Sequence, residues 1–194
     1  MAAGRMEAEK IGDLPPKAAV EIVEEEAISA DLEAKLCDLL VECFKWPGFR
    51  NTRHSFGAIP TFSVIHRAGA AVFGNVSVHL RTITCGPCRL DVAGIGNVAV
   101  APAMRGRGLF PVLMRTAIAE AQRRARNLGL LFCRPELEAL YGRLGWKRRE
   151  GTVWMTTVDS DRVPLGSHEI TMVLATGDAT FPEEGEIDLL GPRW

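Results

Sequence analysis

The chain has 194 residues, 47% of them hydrophobic, and its 23 basic side chains nearly balance its 24 acidic ones. That is enough for one domain with a sizeable core, and the balance argues against a nucleic-acid binder, which would carry a basic excess. No apolar run approaches the roughly 20 residues of a membrane helix, and the N-terminus MAAGRMEAEKIGDLPPKAA has no apolar core of the signal-peptide kind, so a cytoplasmic protein with no membrane partner is expected.

The polar start predicts a flexible tail over residues 1–17 and a domain over 18–194. Val20 to Ile28 reads as a first strand. Ser29 is a good N-cap, and Leu32, Leu36, Leu40 and Phe44 give the next segment one apolar helical face. Pro47-Gly48 ends that helix and opens a loop, WPGFRNTRHSFGAIP. Thr61 to His66 is a strand, Arg67-Ala68-Gly69 a turn, and Val72 to Thr84 a long strand alternating at Val76, Val78 and Leu80. The five cysteines are an odd number, which fits a reducing compartment better than a disulfide scaffold. Cys85-Gly-Pro-Cys88 has no second CxxC or histidine pair to complete a zinc site, so it reads as a hairpin turn and no metal is expected. Leu90 to Val100 follows as a strand.

The apolar run Val98-Ala99-Val100 breaks at Pro102, and a loop carrying Arg105-Gly106-Arg107-Gly108 enters a helix expected from Leu109 to Asn127. Glycines at a strand-to-helix turn let the backbone approach a ligand closely. The helix start leaves N–H groups pointing outward with partial positive charge, and two arginines add fixed charge. Together they read as a pyrophosphate cradle. No Lys-Ser/Thr follows the loop, which excludes a P-loop NTPase, and the glycine spacing is not that of a dinucleotide fold.

Leu113, Ala117, Ala121, Ala125 and Leu128 form the inner face of the long helix. Leu130 to Cys133 reads as a buried strand, Pro135 to Leu144 as a short helix, and Val153 to Val158 and Ile170 to Thr176 as strands. The order predicts an α+β domain with a central mixed, mostly antiparallel sheet flanked by helices. Tyr141, the only tyrosine, lies on the short helix, beyond a strand expected to neighbour the cradle strand. Its hydroxyl could donate a proton to a leaving group such as a thiolate, or it could be a core tyrosine bonded to a neighbour.

V-x-V, a short loop, R-G-x-G opening a helix, a strand, then A-x-x-Y-x-x-x-G-W resembles the GNAT superfamily of acyl-CoA-dependent N-acyltransferases. The resemblance covers roughly Val20 to Val158, and its specific parts are Val98 to Leu109 and Ala139 to Trp146. It implies a GNAT-type fold, acetyl-CoA or another acyl-CoA as co-substrate, and direct attack of an amine on the thioester. It also implies that Val98, Ala99 and Val100 pair with the pantetheine amides, with a backbone N–H near Val98 polarising the carbonyl oxygen. Arg105, Gly106, Arg107, Gly108, Leu109 and Phe110 would form the pyrophosphate site, and Tyr141 would protonate the departing thiolate. Phe110 departs from the family pattern, which usually has Gly or Ala there.

Many members place a Glu on the strand before V-x-V, whereas this strand reads Gly94-Ile95-Gly96-Asn97. Deprotonation of the ammonium would fall to water held by Asn97, to His79, or to a carboxylate of the C-terminal segment. That segment, acidic from Asp178 through Asp188 and ending in Trp194, is similar to the tails of the aminoglycoside 2′-N-acetyltransferases and the nodulation N-acyltransferases. The likeness makes Trp194 with its carboxylate, and Asp188, candidates for the acceptor side. The loop carrying Arg50, Arg53 and His54 should border the same side and would favour an anionic acceptor instead. The expected function is transfer of an acyl group, acetyl foremost, to the primary amine of a small molecule. A long-chain or peptide acyltransferase and a catalytically silent CoA-binding module are the alternatives. Oligomeric state, a homodimer included, is not readable here.

Overall fold

The computed structural model describes residues 18–54, 56–157 and 159–194. The expected tail over 1–17 lies outside them, as does Val158. The elements are β1 (Ala19–Glu24), α1 (Ala30–Phe44), β2 (Phe62–Ala68), β3 (Ala71–Cys85), β4 (Cys88–Val100), α2 (Leu109–Arg123), β5 (Leu128–Cys133), α3 (Glu138–Gly142), β6 (Lys147–Arg149), β7 (Val153–Thr156), β8 (Arg162–Pro164), β9 (Ile170–Ala175) and β10 (Ile187–Asp188). All ten strands join one sheet in the order β6-β9-β5-β4-β3-β10-β7-β8, with β2 and then β1 also attached to β3. The architecture is the expected mixed α+β sheet. Among the described residues only β4–β5 and β10–β7 pair in parallel.

β3 is long enough to serve two neighbours on one edge. Its first half pairs with β2 and its last two residues with β10. The Gly86-Pro87 turn brings Cys85 opposite Cys88, and all five thiols are free.

Several boundaries differ from those read in the sequence. β1 stops at Glu24 because Glu25–Ala27 turns as a 3-10 segment, and Ser29 then caps α1 by accepting from the Leu32 N–H at 3.3 Å. α2 ends at Arg123, four residues early. Ala125 takes a left-handed conformation (φ 59°), and the N–H groups of Ala125 and Arg126 return to the carbonyls of Gln122 and Ala121. That is a Schellman ending with alanine where glycine is usual, so composition concealed it. β6, β8 and β10 have two or three residues each and little apolar patterning, and they exist because neighbouring strands pair with them.

The two faces of the sheet are covered differently. Phe62, Val64, Val76 and Val78 pack in the core that holds the inner face of α2. The other face carries Ser63, Ser77, His79 and Arg81 towards one end and Ile83, Val92 and Leu130 towards the other. The C-terminal segment crosses this second face. Arg81 donates to the carbonyls of Pro192 (2.6 Å) and Leu189 (2.9 Å), and Thr156 N–H donates to Gly191 (2.8 Å). The expected acidic tail is thus strapped to the sheet, and its last residue, Trp194, is buried.

Candidate active site

β4 and β5 run in register from Val92↔Leu128 to Ile95↔Leu131 and then part. A bulge causes the divergence. Asn75 pairs with Ala99 and Ser77 with Gly96, so Asn97 and Val98 together face the single residue Val76. Asn97 absorbs the extra residue at φ 49°, a left-handed conformation that asparagine tolerates better than most residues. The Asn97 carbonyl accepts from Asn75 Nδ2 at 2.9 Å. In a planar trans peptide the next N–H, that of Val98, points the opposite way. A cleft of about 1110 Å³ opens where the strands separate, with residues Ile95 to Val100 along its floor.

At one end of the cleft lies the glycine loop. Gly106 (φ 74°) and Gly108 (φ 80°) are left-handed, and a Cβ added to either would meet nothing within 4 Å. Gly108 starts α2 without a side-chain cap, so the first-turn N–H groups have no intrahelical partner. Arg105 Nε donates to the Val100 carbonyl at 3.2 Å, tying the loop to the end of β4. Arg105, Gly106, Gly108, Leu109 and Phe110 line the cleft, and Arg107 is exposed beside it. The bulky Phe110 ring stands edge-on to Tyr141, with centroids 5.5 Å apart. Open glycines, an uncapped fifteen-residue helix and a fixed arginine suit a diphosphate.

Tyr141, on α3, also lines the cleft, at 5% exposure, and meets Trp146 edge-on. Burial, reinforced by the neighbouring Cys133 thiol, holds its phenol protonated well above the ordinary tyrosine range. Burial also pushes Cys133 up to about 11, so that thiol is no ready nucleophile.

β4 has no side chain at Gly94 and Gly96, and the space is filled by Trp194. Its ring covers Gly94, stacks on His79 with centroids 5.8 Å apart and leans on Phe132 at 5.5 Å. His79 Nδ1 lies 3.2 Å from the Ile59 carbonyl, which fixes that nitrogen as the donor and Nε2 as the acceptor of a neutral ring. Burial pushes the imidazole down to about 3.

Two residues expected at the acceptor lie elsewhere. Arg53 is 2% exposed beneath the cleft floor. It is bonded to Glu25 (2.6 Å), Glu33 and Ser63 (3.2 Å), while its carbonyl accepts from Asn97 Nδ2 at 3.0 Å. Asp188 sits on β10 opposite Thr84, seven residues along β3 from Ser77 and so roughly 23 Å from the bulge. It pairs with Arg162 at 2.7 Å. The cleft is instead walled in part by residues that sequence reading passed over: Trp46, Phe49, Phe56 and Phe132, with the Glu169–Arg193 pair (2.5 Å) beside them. The aromatic spacing in WPGFRNTRHSF was the available signal. Among the described residues no group of three or more side chains is placed to hold a metal, and no helix is long and apolar enough to cross a membrane.

Residues 29–149, more than half of the chain, match the family model described as the acetyltransferase (GNAT) domain. None of the curated proteins compared matches. Among solved structures the chain is similar to Escherichia coli ElaA (13% identity, 81% of this chain and 99% of that one, TM-score 0.60). It is also similar to an acyl-CoA N-acyltransferase from Pseudomonas aeruginosa (18%, 81% and 99%, 0.59). A third is a GNAT family acetyltransferase from Brucella melitensis in complex with acetyl-CoA (18%, 87% and 94%, 0.57). At these identities the likeness shows the fold.

Proposed function

The chain belongs to the GNAT acetyltransferase family, in which transfer from acyl-CoA to an amine is general, and on that premise we propose that it moves an acetyl group from acetyl-CoA to the primary amine of a small molecule by direct attack. The observation that carries this reading is the parting of β4 from β5, with the Gly106–Gly108 loop at one end and Tyr141 lining the same cleft. The acetyl-CoA bound to the Brucella protein supports the choice of donor.

The N–H groups of the glycine loop and the first turn of α2 would hold the pyrophosphate, with Arg105 adding charge. The freed edge of Val98, Ala99 and Val100 would pair with the pantetheine amides. The Val98 N–H, aimed away from Asn75 by the bulge, would bond the thioester oxygen as charge builds on it. The amine lone pair attacks the thioester carbon, the C–N bond forms and the C–S bond breaks. Tyr141 gives its proton to the departing sulfur and regains one from solvent. The extra proton on the amine leaves to water. Asn97 can hold that water, because its Nδ2 is bonded to the Arg53 carbonyl and its Oδ1 is the acceptor end. His79, neutral and with a depressed pKa, is a buried acceptor packed against Trp194 rather than a strong base.

Thiol release from acetyl-CoA tests this, measured across a panel of primary amines. Amine-dependent release of CoA is expected, and its absence with every amine while acetyl-CoA binds would overturn the reading.

A further inference from the structure

Of the two opposite expectations for the acceptor, an acidic tail and a basic loop, neither the acidic side chains Glu186 and Asp188 nor Arg53 reaches the cleft, whereas Trp194 at the end of the tail does. Glu186 and Asp188 of the tail are bonded to Trp154 and Arg162, and Arg53 of the loop is buried. What does reach it is aromatic. Trp46 stacks on Phe56 with centroids 5.4 Å apart and planes 14° from parallel, and meets Phe49 edge-on at 5.0 Å. The Arg193 guanidinium lies 4.3 Å from the Phe56 centroid, so the stack runs indole, phenyl, guanidinium. Trp46 and Phe56 are still 39% and 37% exposed, so each keeps an open surface beside the cleft.

Charge points the same way. Among the described residues Glu169 is the only side-chain carboxylate lining the cleft, and Arg193 holds it at 2.5 and 2.8 Å. The carboxyl carbon of Trp194, the last residue, lies 3.3 Å from where a Cβ on Gly96 would stand. Lys45, Arg105, Arg134 and Arg193 line the same space. Arg193 is neutralised by Glu169, and Arg134 pairs with Glu136 at 3.3 Å. A polycationic acceptor would therefore meet the positive charge of Lys45 and Arg105 with the Trp194 terminal carboxylate alone to attract it, and like charges repel. A single amine on a flat apolar body avoids that repulsion and covers the open aromatic surface.

Resting on the acetyltransferase reading above, we infer that the acceptor carries its amine on an aromatic or flat apolar body that lies along Trp46 and Phe56. The wall acts through acceptor binding, and the thioester chemistry is left to β4 and Tyr141.

The test compares 2-phenylethylamine and tryptamine with spermidine and kanamycin as acceptors for the full chain, using acetyl-CoA and, in a second series, octanoyl-CoA. The arylalkylamines should be favoured at least about tenfold in kcat/KM. Trp46→Ala and Phe56→Ala should each raise the arylalkylamine KM by about tenfold while leaving the acetyl-CoA KM unchanged. Titration calorimetry with acetyl-CoA separates the two ways to fail. No acetyl-CoA binding removes the acetyltransferase reading and this inference with it. Binding with no preference for arylalkylamines, or with no acylation of them, overturns the inference alone. It is equally overturned if the two substitutions change the octanoyl-CoA KM but not the amine KM, since the wall would then hold the acyl chain.

Discussion

The Trp194 ring lies so close over Gly94 that a Cβ on that glycine would stand 2.4 Å from Cε2 of the indole. The two residues are a hundred positions apart, and Arg81 joins them by holding the tail carbonyls before the tryptophan. The side-chain-free stretch of β4 is therefore a seat for an indole. Gly94→Ala should push the ring out of that seat, costing about 1–3 kcal/mol and shifting tryptophan emission to the red. Unchanged melting and emission would show that the ring does not bear on β4.

Tyr141 is expected to act on the leaving group and not on binding. Tyr141→Phe keeps the edge-on contacts with Phe110 and Trp146 and removes only the hydroxyl. Steady-state kinetics should show kcat lower by about a hundredfold with little change in the acetyl-CoA KM. Because burial holds the phenol protonated above its usual range, wild-type kcat should not fall between pH 7 and 9 from loss of the acid.

His79 gives stability a pH dependence of known sign. Its folded pKa of about 3 lies below the unfolded value of 6.5, so the unfolded chain binds the proton first. Its contribution is present above pH 6.5 and is lost progressively as pH falls from there towards 3. Denaturant unfolding should show about 2 kcal/mol less stability at pH 5 than at pH 7 from this group. His66, also buried with a lowered pKa, adds in the same direction. His79→Gln should flatten the difference, and an undiminished slope in that variant would assign it elsewhere.

Ala125 holds the left-handed position that ends α2. Ala125→Gly relieves the clash of Cβ with the backbone but loosens the unfolded chain, so a net gain of about 0.5–1 kcal/mol is expected. Thermal melting checks it, and a lower melting temperature would contradict the account of the helix end.

The glycine loop and Tyr141, on which the proposed donor side rests, were legible because they lie in short contiguous motifs. Gly106 and Gly108 sit where only glycine turns without strain, the helix starts directly after them, and Tyr141 follows within the spacing of one strand and one turn. The rest of the cleft was not, because it is assembled from distant segments. Arg53 reads as a surface charge until Glu25 and Glu33, from 28 and 20 residues earlier, are folded around it. Its role is then to hold, through its carbonyl and Asn97, the floor of the cleft. Gly94-Ile95-Gly96 reads as a strand lacking a carboxylate until Trp194 is laid on it. The aromatic wall reads as loop because Trp46 and Phe56 become parallel only once the 47–50 turn brings them together.

Binding of acetyl-CoA to the glycine loop tests the central claim most directly. In thermal melts a concentration of a hundred times Kd stabilises by about 2.7 kcal/mol, which for this size raises the melting temperature by roughly 5–10 °C. The account predicts that rise for the wild type and its loss in Arg105→Glu, which reverses the charge beside Gly106 without touching the core. No shift with millimolar acetyl-CoA, or an equal shift in Arg105→Glu, would contradict it.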